Sequence, residues 1–146
     1  MAVTVKKAVL WRKEIENRPG MLANTLAPLS EAGADLQVVM GYRDPGGKDT
    51  AAIELHPVSG RKSTAAAKTA GLAPSPIPTL LVVGDNRQGL GLALAIAIGD
   101  AGINLSFVMA QVVGRRYSAV FGFENDADAA KATVLIRKAA VPIRKR

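Results

Sequence analysis

Apolar and polar residues alternate in short runs along this chain, and the alternation gives way several times to helical spacing. Ala8–Ile15 reads as a strand, with Val9, Trp11 and Ile15 on one face and Lys13 interrupting it. Asn17-Arg18-Pro19-Gly20 then breaks the run. Proline suits the first turn of a helix, where its missing N–H has no intrahelical partner to lose. Leu22, Leu26 and Leu29 follow at helical spacing and predict one buried stripe. Pro28 within it predicts a kink, and Gly33 a stop. Leu36, Val38, Met40 and Tyr42 alternate with Gln37, Val39, Gly41 and Arg43 as a half-buried strand. Asp44-Pro45-Gly46-Gly47 has turn chemistry, and Ala51, Ile53 and Leu55 return. Ser63–Ala70 reads as a weak helix with a mostly alanine face, ended by Gly71. Pro74, Pro76 and Pro78 make Ala73–Pro78 an extended connector. The last strand before it, around Leu72–Pro74, must therefore be short or absent.

The second half repeats the first. Asp85-Asn86-Arg87-Gln88-Gly89-Leu90 lies 69 residues after Glu16-Asn17-Arg18-Pro19-Gly20-Met21, and the same offset carries Ala32-Gly33 onto Ala101-Gly102, Leu36 onto Leu105 and Val39-Met40 onto Val108-Met109. A register shared over two dozen residues is stronger evidence than any single motif. It also bears on Gly89–Ile98, where Leu90, Leu92, Leu94, Ile96 and Ile98 alternate with small residues as a strand would. The register places this segment on the helix, and alanines at 93, 95 and 97 suit a helix better than a strand. Such a helix is apolar nearly all round and needs cover on two sides. Leu80–Val83 precedes it as a strand. Leu105, Phe107 and Met109 begin the next, Gly114-Arg115-Arg116 turns it, and Tyr117, Ala119, Phe121 and Phe123 return. Asn125-Asp126 caps a helix over Ala127–Lys138, with Ala130 and Val134 turned inward. Val141-Pro142-Ile143 closes as an edge strand, where proline is tolerated. Each half thus reads βαββαβ. The fold class expected is α+β: two ferredoxin-like repeats, residues 1–74 and 75–146, each an antiparallel sheet with helices on one face.

Composition narrows the chemistry. Of 146 residues, 49% are apolar and only 4% aromatic, so an aliphatic, alanine-rich core is expected. Halves of this size are marginal alone and gain by packing together. With no cysteine and one histidine, disulfides, thiolate metal sites and histidine clusters are excluded. His56, at the end of an alternation and before Pro57, reads as a strand-end residue. Met1–Val5 lacks the basic-then-apolar order of an export signal. Leu90–Ile98 falls short of the about 20 residues that span a bilayer. A cytoplasmic protein without membrane association is expected. The formal charge is +7, with Arg137, Lys138, Arg144, Lys145 and Arg146 clustered at the end. No aromatic is interleaved with them for base stacking, which disfavours nucleic acid as a partner.

The two turns carry a family resemblance. Asn-Arg-Pro-Gly-Met-Leu followed by Leu, then Leu-x-x-Ala-Gly-Ala-Asp-Leu, resembles the ACT domain, a small ligand-binding regulatory module of amino-acid biosynthetic enzymes. Val9 to about Leu72 matches closely. Thr79–Ile143 matches more loosely, with Gln88 where the family often has proline. The resemblance covers nearly the whole chain and implies a tandem ACT protein with no catalytic domain. In serine-sensing members the asparagine before Arg-Pro-Gly and a residue early in the second strand contact the amino acid. That implies Asn17 and Asn86 as the first contact, and Asp35 and Asn104 as the second. Those members also place a histidine two residues before the asparagine, where this chain has Ile15 or Gly84, so serine is not specified.

Physical chemistry points to the same turns. First-turn amides of a helix are unpaired and partly positive, and Gly20 and Gly89 let a ligand approach the backbone closely. An α-carboxylate can be held there without a basic side chain. Asn17 or Asn86 can both donate and accept. Asp35 can pair with an ammonium, whereas Asn104 can only accept a hydrogen bond from it. The candidate ligand site is therefore Asn17, Arg18, Pro19, Gly20 and Asp35, repeated as Asn86, Arg87, Gln88, Gly89 and Asn104. Each of these residues also has a plain role in turn chemistry. No activated nucleophile, metal cluster or phosphate loop is present; Gly89-Leu90-Gly91 would need its third glycine at Leu94. The function expected is a non-catalytic sensor needing no cofactor. It would bind an amino acid between paired modules, as a homodimer, and act on a metabolic enzyme. The alternative is a pure interaction module, a regulatory subunit without its own ligand.

Overall fold

The computed structural model describes residues 3–44, 46 and 49–142. The chain forms two compact units: one continuous, Val9–Pro76, and one discontinuous, Met1–Ala8 together with Ile77–Arg146. The continuous unit contains β2 (Trp11–Glu16), α1 (Met21–Glu31), β3 (Val38–Arg43), β4 (Thr50–His56), α2 (Arg61–Thr69) and the two-residue β5 (Ala73–Pro74). The discontinuous unit contains β1 (Val3–Ala8), β6 (Thr79–Asp85), α3 (Leu90–Asp100), β7 (Leu105–Val113), β8 (Arg116–Phe123) and α4 (Asp126–Ala139). Each sheet has four antiparallel strands, ordered β3-β4-β2-β5 and β7-β8-β6-β1. The two orders correspond strand for strand, and the fold is α+β as the repeat predicts.

The two sheets take their fourth strand from opposite ends of a repeat. β5 follows α2 and pairs with β2 through Trp11–Pro74 and Arg12–Ala73. In the other unit that place is taken by β1, which runs antiparallel to β6 from Val3–Gly84 to Ala8–Thr79. Residues 3–8 belong to the second sheet rather than to a repeat spanning 1–74. Val141 and Pro142 are not in a strand, and Ile143 lies outside the described residues. The single strand expected over Ala8–Ile15 is two strands broken at Val9 and Leu10. Leu10 is wholly buried and Val9 is 56% exposed, so Val9 does not share a buried face with Trp11.

Each unit has its own core between helices and sheet. Trp11, Ile53 and Leu55 pack with Leu29 of α1 and Ala67 of α2. Val5, Leu80, Val82, Ala119 and Phe121 pack with Leu90, Leu94 and Ile98 of α3 and Ala129, Ala132 and Ile136 of α4. Leu90–Ile98 is helical, and its buried stripe recurs every four residues. Leu92 and Ile96, off that stripe, are 65% and 50% exposed. In α4 the inward residues are Ala129, Ala132 and Ile136, so Ala130 and Val134 face outward, contrary to the sequence expectation. The stripe sits one position from the expected one because an alanine-rich helix carries little contrast between its faces. Asn125 does cap it, accepting from the Asp128 N–H at 2.8 Å. The helix of the first repeat runs from Met21 to Glu31 unbroken through Pro28. The Asp44–Gly47 turn is only partly described, since Pro45 and Gly47 lie outside the described residues. Among the described residues, no helix is long and apolar enough to cross a membrane.

The sheet face away from α1 and α2 carries an acid with no solvent exposure, Glu54. Its Oε2 accepts from the Tyr42 hydroxyl at 3.0 Å, while Oε1 is buried without a partner among the described residues. Partial burial and the nearby Glu54 hold the Tyr42 hydroxyl above its ordinary pKa, with Arg12 opposing them. Tyr42→Phe removes the donor from this buried carboxyl. A loss of about 1–2 kcal/mol is expected in urea denaturation. An unchanged midpoint would show that the bond contributes nothing to stability.

Candidate functional site

The two strand-to-helix turns are the same structure. The Asn17 N–H donates to the Asp49 carbonyl at 2.7 Å, and the Asn86 N–H donates to the Arg115 carbonyl at 2.8 Å. Gly20 and Gly89 take φ of +86° and +81°, a left-handed conformation that glycine adopts without a Cβ penalty. One turn further on, the Asn24 N–H bonds the Gly20 carbonyl at 3.0 Å, and the Ala93 N–H bonds that of Gly89 at 2.9 Å. The sequence repeat is therefore a repeat of backbone geometry.

What surrounds the turns differs. Beside the first lies a cleft of about 280 Å³, the size of a small metabolite. Its walls are Ile15 at the end of β2, Asn17, Arg18 and Gly20 in the turn, Met21 and Leu22 on α1, Gly41 to Arg43 on β3, and Ala51 to Ile53 on β4. Leu22, expected to be buried, is 45% exposed, because it stands at this opening rather than over the core. Gly41 widens the cleft: a Cβ there would have no atom within 4 Å.

The floor of the second turn is lined by a larger side chain. In register, Arg43–Ala51 of the first sheet corresponds to Val112–Tyr117 of the second. Tyr117 is buried, and its hydroxyl lies 4.0 Å from where a Cβ on Gly91 would stand. Gly91 is the counterpart of Leu22. A tyrosine ring thus fills the volume that an alanine leaves open in the continuous unit, and its burial raises the pKa of the hydroxyl.

The expected site residues separate accordingly. Asn17, Arg18 and Gly20 line the cleft, and Pro19 is exposed in the same turn. The Arg18 guanidinium is turned to Glu16, with Nε 3.1 Å from its Oε2. Arg87 turns inward instead: Nη2 donates to the Ala139 carbonyl at 3.0 Å, at the end of α4, and its Nε is buried without a partner among the described residues. Asn86, Gln88 and Gly89 are exposed.

Asp35 and Asn104 are not beside these turns within either unit. Each follows the far end of a helix of 11 residues, about 16 Å long, that begins at the corresponding turn. Asp35 is exposed, and Asn104 Nδ2 donates to Glu124 Oε1 at 2.9 Å.

Sequence reasoning missed Arg43, which lines the cleft on β3. The Asn17 amide oxygen accepts from Arg43 Nε at 2.9 Å and from Nη2 at 2.7 Å, the orientation in which both groups are satisfied. A comparison of the repeats for differences rather than likenesses would have found it, since the 69-residue offset sets Arg43 against Val112. Among the described residues, no group of three metal-ligating side chains is close enough to hold an ion.

No protein-family model matches the chain, and no curated protein resembles it in sequence. Solved structures do match its fold. A protein from Bacteroides thetaiotaomicron has 15% identity and a TM-score of 0.71, with 94% of this chain and 90% of that one covered. The regulatory subunit of aspartate kinase from Thermus thermophilus has 17% identity and a TM-score of 0.62, with 95% and 97% covered. A putative C-terminal regulatory domain of aspartate kinase from Porphyromonas gingivalis has 7% identity and a TM-score of 0.59, with 97% of each covered. At these identities the likeness establishes the fold alone, α+β with two ferredoxin-like repeats, over nearly the whole chain.

Proposed function

We propose that this protein is a non-catalytic regulatory module that senses a small ligand, an amino acid, and passes the signal to a metabolic enzyme. The observation that carries the proposal is the open cleft beside the Asn17 turn. It brings the start of α1, the Asn17–Arg43 pair and apolar walls together in a space of about 280 Å³. The fold likeness to regulatory subunits of aspartate kinase supports a regulatory role over a catalytic one. Pairing with a second copy fits the same picture. β3 is an edge strand with Val39 exposed, and only a neighbouring module could bring a residue such as Asp35 to an Asn17 turn. Ligand binding then regulates by favouring one arrangement of modules, by no more than its differential affinity for the two.

Calorimetry against the twenty amino acids tests this. At least one should give a saturable response. Gly41→Val should weaken it by tenfold or more while leaving the unfolding midpoint in place, since the added side chain enters the cleft and β3 accepts it without strain. Silence from all twenty would count against the sensor.

A second reading, a regulatory subunit that docks on an enzyme without a ligand of its own, is favoured by Leu92 and Ile96, which α3 exposes one turn apart. It is tested by recovery of the same enzyme, in the absence of metabolites, by wild-type protein and not by a Leu92→Ser, Ile96→Ser variant.

A further inference from the structure

We propose that the cleft selects a ligand of net negative charge, a small dicarboxylate with or without an amino group, and that Arg43 determines this choice. The inference rests on the sensor function above and adds the chemical class of what is sensed.

Two arginines line the cleft, and none of its described lining residues is acidic. They are not equivalent. Arg18 lies against the carboxylate of Glu16 at 3.1 Å, which offsets its charge. Arg43 is held by the neutral amide of Asn17, which fixes the guanidinium in place, and among the described residues no carboxylate pairs with it. Asn17 engages two of the five N–H donors of the guanidinium, so three remain, enough for a carboxylate.

The surroundings strengthen this field. Ile15, Met21, Leu22 and Ile53 form apolar walls, and the positive end of α1 opens onto the same space. Arg43 is itself exposed at the cleft, so its field is screened by added salt. A zwitterion could set its carboxylate here, but its ammonium would meet no described lining carboxylate. A cationic amino acid would be repelled. A second carboxylate can instead use the amides at the start of α1, so two anionic groups are matched and no positive one is required.

The repeat supplies a control for the bland alternative, that Arg43 serves the fold. The same place in the other sheet is Val112, opposite Tyr117 instead of Ala51. An arginine is therefore not needed to build this sheet edge. It is present in the unit whose cleft is open and absent where a tyrosine fills the space.

The test is calorimetry on the full chain with L-aspartate, L-glutamate, succinate, glutarate, L-asparagine, L-alanine and L-lysine, at two ionic strengths. The tightest ligand should be a dicarboxylate, and the amino acids against the simple diacids show whether an amino group contributes. The acid should be preferred over its amide, L-aspartate over L-asparagine, by tenfold or more, and added salt should weaken binding. Arg43→Met should abolish that preference without moving the unfolding midpoint, and Arg43→Lys should restore part of it. If a neutral or cationic amino acid binds best, and Gly41→Val abolishes its binding while Arg43→Met does not, the sensor stands and the charge inference falls. If none of these compounds and none of the other amino acids binds the wild type, both fall.

Discussion

Deletion of Val3–Ala8 should unfold the discontinuous unit and leave the continuous one folded. β1 pairs with β6 along six residues and buries Val5 and Ala8. Arg137 of α4 also reaches it, Nη2 to the Val5 carbonyl at 3.5 Å. A buried valine contributes roughly 1.5–3 kcal/mol, and each ladder hydrogen bond about 0.5–1.5 kcal/mol net. The loss is therefore on the order of 5 kcal/mol or more, comparable with the whole stability of a small domain. It also uncovers the edge of β6, a hydrophobic strand open to pairing with other chains. Amide hydrogen exchange gives the location. Protection should be lost in β6, β8 and α4 and kept in β2, β4 and α1. Equal loss in both units would mean that they fold as one, and no loss would mean that β1 is dispensable.

Tyr117→Ala should cost about 3 kcal/mol or more, the range for removing a buried aromatic side chain. Tyr117 is 5% exposed and packed in the core between β8 and α3. Its removal should leave a space like that beside Asn17, because alanine is what the continuous unit carries at Ala51. Tyr117→Phe should cost under 1 kcal/mol by the same logic, since the ring fills the space and the hydroxyl adds little. The pair of variants, measured by urea denaturation, separates filling of volume from hydrogen bonding. A small effect of Tyr117→Ala would mean that the ring does not occupy the second cleft, and the contrast between the repeats would lose its basis.

Much of the fold was legible in the chain. The turns at Asn17 and Asn86 are short-range chemistry, a broken alternation followed by a glycine that must take positive φ, and they recur as the offset required. The helical state of Gly89–Ile98 is ambiguous from its own alternation. The first repeat decided it, because duplicated segments share a fold even where their own patterns blur.

Other features had weak local signals or none. Val3 and Val5 alternate with polar residues over too few positions to mark a strand, and nothing in Val3–Ala8 names Thr79–Asp85 as its partner. The inward face of α4 was displaced because alanine differs little from its neighbours in apolar area. The candidate site divided in the same way. Asn17, Arg18 and Gly20 were readable because they are contiguous and repeated. Arg43 was not, because it reaches Asn17 from another strand.

By itself, then, the sequence determined what depends on neighbours along the chain: the turns, the helices that follow them, and the duplication. The tertiary structure alone decided which strand completes each sheet and which of the two clefts stays open. Strand pairing and the filling of a cavity join residues far apart in the chain. Tyr117 against Gly91, Arg43 against Asn17 and Val5 against Val82 come together only when the sheets have formed.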